Sequence, residues 1–256
     1  MTEVGRNIAA LVLDELSAHG ELAAQLTDGQ SKLPTACPGW NTRDVLAHVS
    51  STERMLEGLS DPAHELSGNH EYLKTPMSVR IEVPIDLRRS MTLDALKIEF
   101  ADMVRRRRAT LRAPDYDLDA QIASPFGMKP AGWVLTRRLV DLVVHEQDIL
   151  RALHQPMRLG AAAPVALAAL TDRLSDIFNP GQSLLGATVR LTITGIGAQS
   201  IDLGHSGARR AAATITVDAQ TAFLLLAGRA QVSELTIAVE GDHTQASIVL
   251  DHAVVT

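Results

Sequence analysis

Three side chains of metal-binding type lie on two apolar segments that are far apart in the chain. His48 belongs to one segment, and Asp141 and His145, four residues apart, belong to the other. Ionisable groups on apolar faces are costly to bury unless they are paired, hydrogen-bonded or coordinated to a metal. Two imidazoles and one carboxylate leave open positions on a bound ion, which is typical of metal sites that carry out chemistry.

An acid four residues before a histidine occurs three times in the sequence, at Glu15/His19, Asp44/His48 and Asp141/His145. Spacing does not rank these pairs, because i,i+4 neighbours are common on helices. The segment around His145 is aliphatic on nearly every side, so its polar stripe must face an internal partner. His48 lies inside an apolar arc, whereas Glu15/His19 adjoins Gly20 and is interpreted as surface. A hydrogen-bonded core network without metal is the competing interpretation.

The donor types favour zinc, with the fourth position left for water or substrate. Other divalent ions with the same ligand preference are also compatible with these donors. Asp148, one turn after His145, either holds that imidazole ring or is a charge at the helix end. Cys37 precedes a predicted helix N-terminus, where the dipole lowers a thiol pKa, but we favour a small buried apolar role for it.

The composition restricts the class of protein. The chain has 256 residues, 46% of them apolar, with a formal net charge of −6 at pH 7, which argues against a nucleic-acid binder. We interpret the run Arg105–Arg108 as the solvated side of a helix. A single cysteine excludes an intrachain disulfide, and no segment approaches the roughly 20 apolar residues that span a bilayer. Without a secretory signal at the N-terminus, we expect a cytoplasmic protein and no membrane partner.

The periodicity of the first part of the chain predicts four long helices, at 7–26, 41–59, 92–111 and 132–153. Asn41 and Asp44 resemble a capping box at the start of the second. Segment 61–89 contains three prolines and is predicted to be irregular, acting as a lid or pocket wall. Segment 115–130 is predicted to be a connector.

The pattern changes after about Gly160. A helix is predicted over 161–177, strands over 189–194 and 213–217, a helix over 218–227, an extended segment over 234–239 and a helix over 242–250. The fold class is therefore α plus α+β. We predict a helix bundle over residues 1–156 and a small α+β domain over residues 163–256.

Several of these segments resemble one known family. Cys37–His48 (CPGWNTRDVLAH) resembles the opening motif of the mycothiol-dependent maleylpyruvate isomerases, members of the DinB/YfiT-like metal-binding bundles, and Leu139–Asp148 (LVDLVVHEQD) is similar to their fourth-helix motif. Segments 224–230 and 239–242 resemble their C-terminal domain, which is related to sterol carrier proteins. The resemblance implies a DinB-like four-helix bundle that holds one divalent metal, typically zinc.

The same resemblance assigns roles to individual residues. It places His48, Asp141 and His145 in the ligand positions, although the isomerases carry glutamate where this chain has Asp141. Arg229 matches an arginine that the family places near the active site, where it would act catalytically by holding a substrate carboxylate. A metal with an open position lowers the pKa of a thiol cofactor, so the thiolate can attack an electrophile.

We therefore predict a metal- and thiol-dependent isomerase or transferase. Its cofactors are a divalent ion and mycothiol or a similar thiol, and its substrate is a small electrophile. The only protein partner expected is a second copy of the chain. A metal-dependent hydrolase and a non-catalytic ligand-binding module are the alternatives. Glu146, the acid nearest the ligands that could act as a hydrolytic base, is turned away from them by the helical period.

Overall fold

The computed structural model describes residues 3–68, 70–178, 184–204 and 210–255. The chain forms two compact units, Met1–Arg158 and Leu159–Thr256. Both contain buried aliphatic side chains, such as Leu139 in the first and Ile215 in the second. Among the described residues, no helix has the length and apolar character needed to cross a bilayer.

The first unit contains six helices and one hairpin among its described residues. The helices are α1 (Glu3–Gln25), α2 (Asp28–Ser31), α3 (Thr42–Leu56), α4 (Pro76–Arg89), α5 (Leu93–Leu111) and α6 (Ala131–Ala152); the hairpin strands are β1 (Gln121–Ser124) and β2 (Gly127–Pro130). Helices α1 and α3 each pack against both α5 and α6, so these four long helices form a bundle. The prediction of a helical N-terminal domain is confirmed.

Local sequence explains where α3 begins. The Asn41 side chain accepts a hydrogen bond from the Asp44 backbone N–H at 2.9 Å, and the Asp44 carboxylate accepts one from the Asn41 N–H at 3.1 Å. This is the capping box that the sequence predicts, and it satisfies two helix-end donors reciprocally. The cap fixes the start of α3 and therefore the position of His48 two turns into the helix.

The prediction that 61–89 is irregular is wrong for its second half, which forms α4. Thr75 caps this helix and Pro76 occupies its first turn, where a missing N–H costs nothing. Pro84 lies inside the helix, yet α4 packs against α3, and Ile85 is fully buried. Tertiary packing therefore outweighs the local penalty of Pro84. The predicted connector 115–130 contains the β1–β2 hairpin.

The interpretation of Glu15 and His19 as surface residues is wrong. Both are buried on α1, which packs against α6. Gly20 does not interrupt the helix; a Cβ at that position would lie 3.8 Å from the Phe100 ring, in ordinary contact. Burial lowers the pKa of His19 to about 4, so its imidazole is neutral, and Nδ1 lies 2.9 Å from the Glu15 carbonyl oxygen.

Glu15 should make the stability of the protein depend on pH. Burial, reinforced by the nearby Glu146 carboxylate, raises the pKa of Glu15 from 4.5 to about 7. Because the folded-state pKa is the higher one, the stability present below pH 4.5 is lost as the pH rises through 7. Glu15→Gln should therefore exceed the wild type in free energy of unfolding at pH 8, by up to about 3 kcal/mol. Urea unfolding at pH 8 and pH 4.5 tests this, and a pH-independent difference would contradict it.

The second unit is an α+β arrangement, as predicted. It contains the helices α7 (Ala163–Ile177), α8 (Ala219–Leu226) and α9 (His243–Asp251), and the strands β3 (Val189–Thr194), β4 (Gln199–Leu203), β5 (Ala213–Asp218) and β6 (Ala238–Gly241). The strand order is β4-β3-β5-β6, with β3 and β5 parallel and the outer pairs antiparallel. Strand β4 is not among the predicted strands. The predicted extended segment 234–239 begins as a short 3-10 turn and becomes a strand only at Ala238.

Candidate metal centre

The structure brings His48, Asp141 and His145 together between α3 and α6. Nε2 of His48 lies 3.3 Å from Oδ2 of Asp141, and Nε2 of His145 lies 3.4 Å from Oδ1 of the same carboxylate. One donor atom from each of the three residues lies within 4.8 Å of the others, the separation expected of atoms that could share one ion. The residues selected from sequence therefore form one cluster.

This cluster is closed on its imidazole sides and open at its carboxylate. His48 and His145 are buried, whereas 36% of the Asp141 side-chain surface is exposed. Asp141 is therefore the member of the cluster that solvent reaches most. Access from one side is what a catalytic metal site needs and a structural one lacks.

The charges of the cluster follow from its contacts. Burial lowers the pKa of His48 despite the neighbouring Asp141 carboxylate. Burial acts in the same direction on His145, but Asp141 and Asp148 outweigh it and hold the pKa of that imidazole well above its usual range. Burial would raise the pKa of Asp141, yet His48, His145 and Arg138 together hold it well below its usual range. Asp141 is therefore an anion.

Asp148 holds the other edge of the His145 ring. Nδ1 of His145 lies 3.0 Å from Oδ2 of Asp148, and since a carboxylate accepts, the ring donates there and turns Nε2 towards Asp141. Asp148 is buried, so it is a hydrogen-bond partner of the ring and not a helix-end charge facing the loop. The sequence alone allows both interpretations.

Cys37 lies beside this pair, which its sequence position did not reveal. Its thiol donates to Oδ2 of Asp148 at 3.2 Å, and its Sγ lies 3.9 Å from Nδ1 of His145. These three residues also meet the distance criterion for sharing an ion. We interpret them as a buried hydrogen-bonded group, because Asp148 already engages the Nδ1 edge of His145.

Trp40 forms one wall of the candidate centre. Its ring centroid lies 5.2 Å from that of His48 and 5.9 Å from that of His145. The indole Nε1 donates to Glu82 on α4 at 2.8 Å, and the Tyr72 hydroxyl donates to the other oxygen of Glu82 at 2.7 Å. Segment 61–89 thus reaches the centre through Glu82 and Trp40.

Gly39 allows this wall to pack closely. Its φ is +78°, and a Cβ there would lie 2.2 Å from the Tyr72 ring. Gly39→Ala is therefore expected to lower the free energy of unfolding by about 2–4 kcal/mol, from backbone strain and overpacking together. Gly58→Ala is the matched control, since Gly58 has φ +71° but nothing within 4 Å of the added Cβ. Equal losses of stability in chemical denaturation would contradict the packing argument.

A chain of buried ion pairs runs from Asp141 into the bundle. Arg138 contacts Oδ2 of Asp141, and its Nε donates to Oε1 of Glu53 at 2.6 Å. Oε2 of Glu53 lies 2.7 Å from Nε of Arg107, which also donates to Glu57 at 2.9 Å. The sequence analysis does not identify Arg138, Glu53 or Arg107. The signal that could have identified them is a charged residue within the apolar arc of a helix.

The interpretation of Arg105–Arg108 as the solvated side of α5 is wrong at Arg107. That side chain is almost fully buried between Glu53 and Glu57, whereas Arg105, Arg106 and Arg108 are exposed. A helix turns by 100° per residue, so one member of a run of four faces the bundle interior. Glu53 on α3 and Glu57 at its C-terminal cap are the partners of Arg107.

Arg229 belongs to the second unit and lies in the turn after α8. Its Nη1 donates to the Ala227 carbonyl oxygen at 2.8 Å. The catalytic role of Arg229 stays a prediction.

The fold and the cluster define a helical bundle with a histidine–carboxylate centre at one open edge. Residues 12–150 of the chain match the sequence model described as the mycothiol maleylpyruvate isomerase N-terminal domain. Because the match covers more than half of the chain, the protein belongs to the mycothiol maleylpyruvate isomerase family, a family of enzymes. The family resemblance stated from the sequence is confirmed.

Solved structures agree on the fold. The crystal structure of the mycothiol-dependent maleylpyruvate isomerase superposes with a TM-score of 0.63 and 15% sequence identity, over 94% of this chain and 95% of that one. A mutant of that enzyme, in which alanine replaces a histidine, gives the same values. At this identity the likeness establishes the fold only. No curated protein matches the chain.

Proposed function

We propose that this protein is a metal-dependent enzyme that uses a low-molecular-weight thiol, such as mycothiol, to isomerise a small electrophile or joins that thiol to it through the sulfur atom (S-transfer). The observation that carries the proposal is the convergence of His48, Asp141 and His145 on one edge that is open at the carboxylate. Family membership supports the choice of thiol and of isomerisation.

The three donors fit a divalent ion, with zinc as the first candidate. Two imidazole nitrogens and one carboxylate oxygen are the donors of many catalytic zinc sites, which keep the fourth position open. An ion bound there would supply a Lewis acid that lowers the pKa of a cofactor thiol and so provides the nucleophile. Asp148, which also accepts a hydrogen bond from Cys37, would hold the His145 ring with Nε2 towards this position, and the Trp40 ring packs beside both imidazoles.

The chemistry proposed for an isomerisation balances without any redox partner. A thiol bound beside His48, Asp141 and His145 would supply a nucleophile that adds to a double bond conjugated to a carbonyl and leaves again after rotation about the resulting single bond. The double bond would then be restored in the other geometry and the thiol regenerated. For S-transfer, a C–S bond would form and be retained: either a leaving group would depart with the electron pair of its broken bond, or one epoxide C–O bond would break and the oxygen would stay in the product and take up a proton.

Arg229 is the proposed binder of a substrate carboxylate. A guanidinium presents paired donors that match a carboxylate, so its loss should weaken substrate binding more than it slows the chemical step. The expected result for Arg229→Gln is a raised KM for an acidic electrophile with a smaller change in kcat. A neutral electrophile is the matched control, because its KM should not change.

The hydrolase alternative has little support in the contacts of α6. Glu146, the base that the sequence suggests for hydrolysis, pairs with Arg158 at 2.6 Å and accepts from Gln147 at 3.1 Å. These contacts draw the Glu146 carboxylate to a side of α6 different from the Asp141 edge. A hydrolytic reaction would therefore have to find its base elsewhere.

The test is a turnover assay with zinc-loaded protein, maleylpyruvate and a panel of generic electrophiles, each with and without mycothiol. Turnover that requires mycothiol and disappears on chelation is the expected result. Turnover that is independent of thiol would identify a hydrolase and overturn the proposal. Saturable binding of electrophiles without turnover would overturn it in favour of a binding module.

A further inference from the structure

We propose that Arg138 is a positioning residue for the candidate metal centre, because it holds the Asp141 carboxylate in the orientation that faces the two imidazoles. The inference rests on the proposed metal site. Arg138 is 4% exposed, lies one turn before Asp141 on α6 and contacts its Oδ2 oxygen. This leaves Oδ1 directed to His145, at 3.4 Å from its Nε2.

The guanidinium is itself fixed by α3, the helix that carries His48. Its Nε donates to Oε1 of Glu53 at 2.6 Å, and its Nη2 donates to the Val49 carbonyl oxygen at 3.1 Å. A planar guanidinium holds its donors in a fixed fork, so its three acceptors are held in a fixed arrangement that the freely rotating donors of an ammonium do not impose. Arg138 therefore ties the carboxylate of α6 to the helix that supplies the first imidazole.

Asp141 needs such a support because its side chain is partly exposed. An exposed carboxylate samples several rotamers, and fixing one of them costs entropy when a ligand binds. A neighbour that restrains the carboxylate beforehand removes that cost from the binding step. Groups that orient metal ligands in this way typically change metal affinity by about 10–100-fold.

Stability alone gives a poor reason for this arrangement. Asp141, Arg138, Glu53 and Arg107 form consecutive ion pairs, three of whose members are almost fully buried. Buried ion pairs often stabilise a protein no more than well-packed apolar residues of similar volume. Apolar residues in place of these ion pairs could fill the same volume, but they could not hold the Asp141 carboxylate as Arg138 does.

The test measures the zinc dissociation constant by competition with a chromogenic chelator for the wild type, Arg138→Lys and Arg138→Gln. We expect zinc binding to weaken by about 10–100-fold in both variants. Arg138→Lys keeps the buried charge and so protects the fold, and circular dichroism and Tm are recorded for each variant. The d–d absorption of the Co²⁺-loaded protein should also change, which a loss of global stability alone would not cause.

Arg107→Lys is the matched control, since Arg107 belongs to the same ion-pair chain but does not contact Asp141. Its zinc affinity and Co²⁺ spectrum should match those of the wild type. Unchanged affinity in Arg138→Lys, or equal weakening in Arg107→Lys, would overturn the positioning role while leaving the metal site intact. A wild type without measurable zinc affinity would instead overturn the proposed function, and this inference with it.

Discussion

Replacing His48 by alanine is expected to lower kcat/KM for the thiol-dependent reaction by at least about a thousandfold, equivalent to roughly 4 kcal/mol of transition-state stabilisation. The substitution removes one of the two imidazole donors that face Asp141, so the variant should no longer retain the ion that activates the thiol. Steady-state kinetics with and without added zinc measure the effect. Excess zinc should restore little activity.

His252→Ala is the control for this substitution. His252 is exposed at the end of α9, and its Nδ1 lies 2.9 Å from the Ile248 carbonyl oxygen of its own helix. The same change of residue type there should leave kcat/KM as in the wild type. An active His48→Ala variant, or an equally inactive His252→Ala variant, would contradict the assignment of the site.

Replacing Glu53 by alanine is expected to cost about 3–5 kcal/mol in free energy of unfolding, because it leaves two buried guanidinium groups without their shared acid. Glu53 is fully buried, and its two oxygens lie 2.6 Å from Arg138 and 2.7 Å from Arg107. Urea unfolding monitored by circular dichroism measures the loss. For a marginally stable domain, a loss of this size is a large fraction of the total stability.

Asp102→Ala gives the comparison for a surface ion pair. Asp102 also pairs with two arginines, Arg105 and Arg106, but both of these side chains are exposed. Exposed pairs are screened by solvent and contribute little, so this variant should unfold at nearly the same urea concentration as the wild type. A similar loss of stability in Glu53→Ala and Asp102→Ala would show that burial does not determine how much an ion pair contributes to stability.

The candidate ligands could be predicted because the signal is local to each helix. Helical periodicity places His48 inside the apolar arc of α3 and puts Asp141 and His145 on one stripe of α6. The predicted bounds of α6 agree with the structure to within one residue at each end, because aliphatic residues recur with helical period along the segment. Once α3 and α6 pack together, His48, Asp141 and His145 lie at the same edge.

Other parts of the centre depend on contacts that span large distances along the chain. Cys37 meets Asp148 only because α3 and α6 pack together, and no spacing rule pairs those two positions. The burial of Glu53 and Arg107 likewise needs the facing helix to be known. Helix α4 was missed because Pro84 argues locally against a helix, whereas packing on α3 supports one.

The metal content of the purified protein tests the central claim most directly. Inductively coupled plasma mass spectrometry of the wild type, His48→Ala and His252→Ala, prepared side by side, gives the number of ions per chain. The wild type and His252→Ala should each carry about one divalent ion, and His48→Ala should carry almost none. Equal, negligible metal in all three proteins would contradict the account.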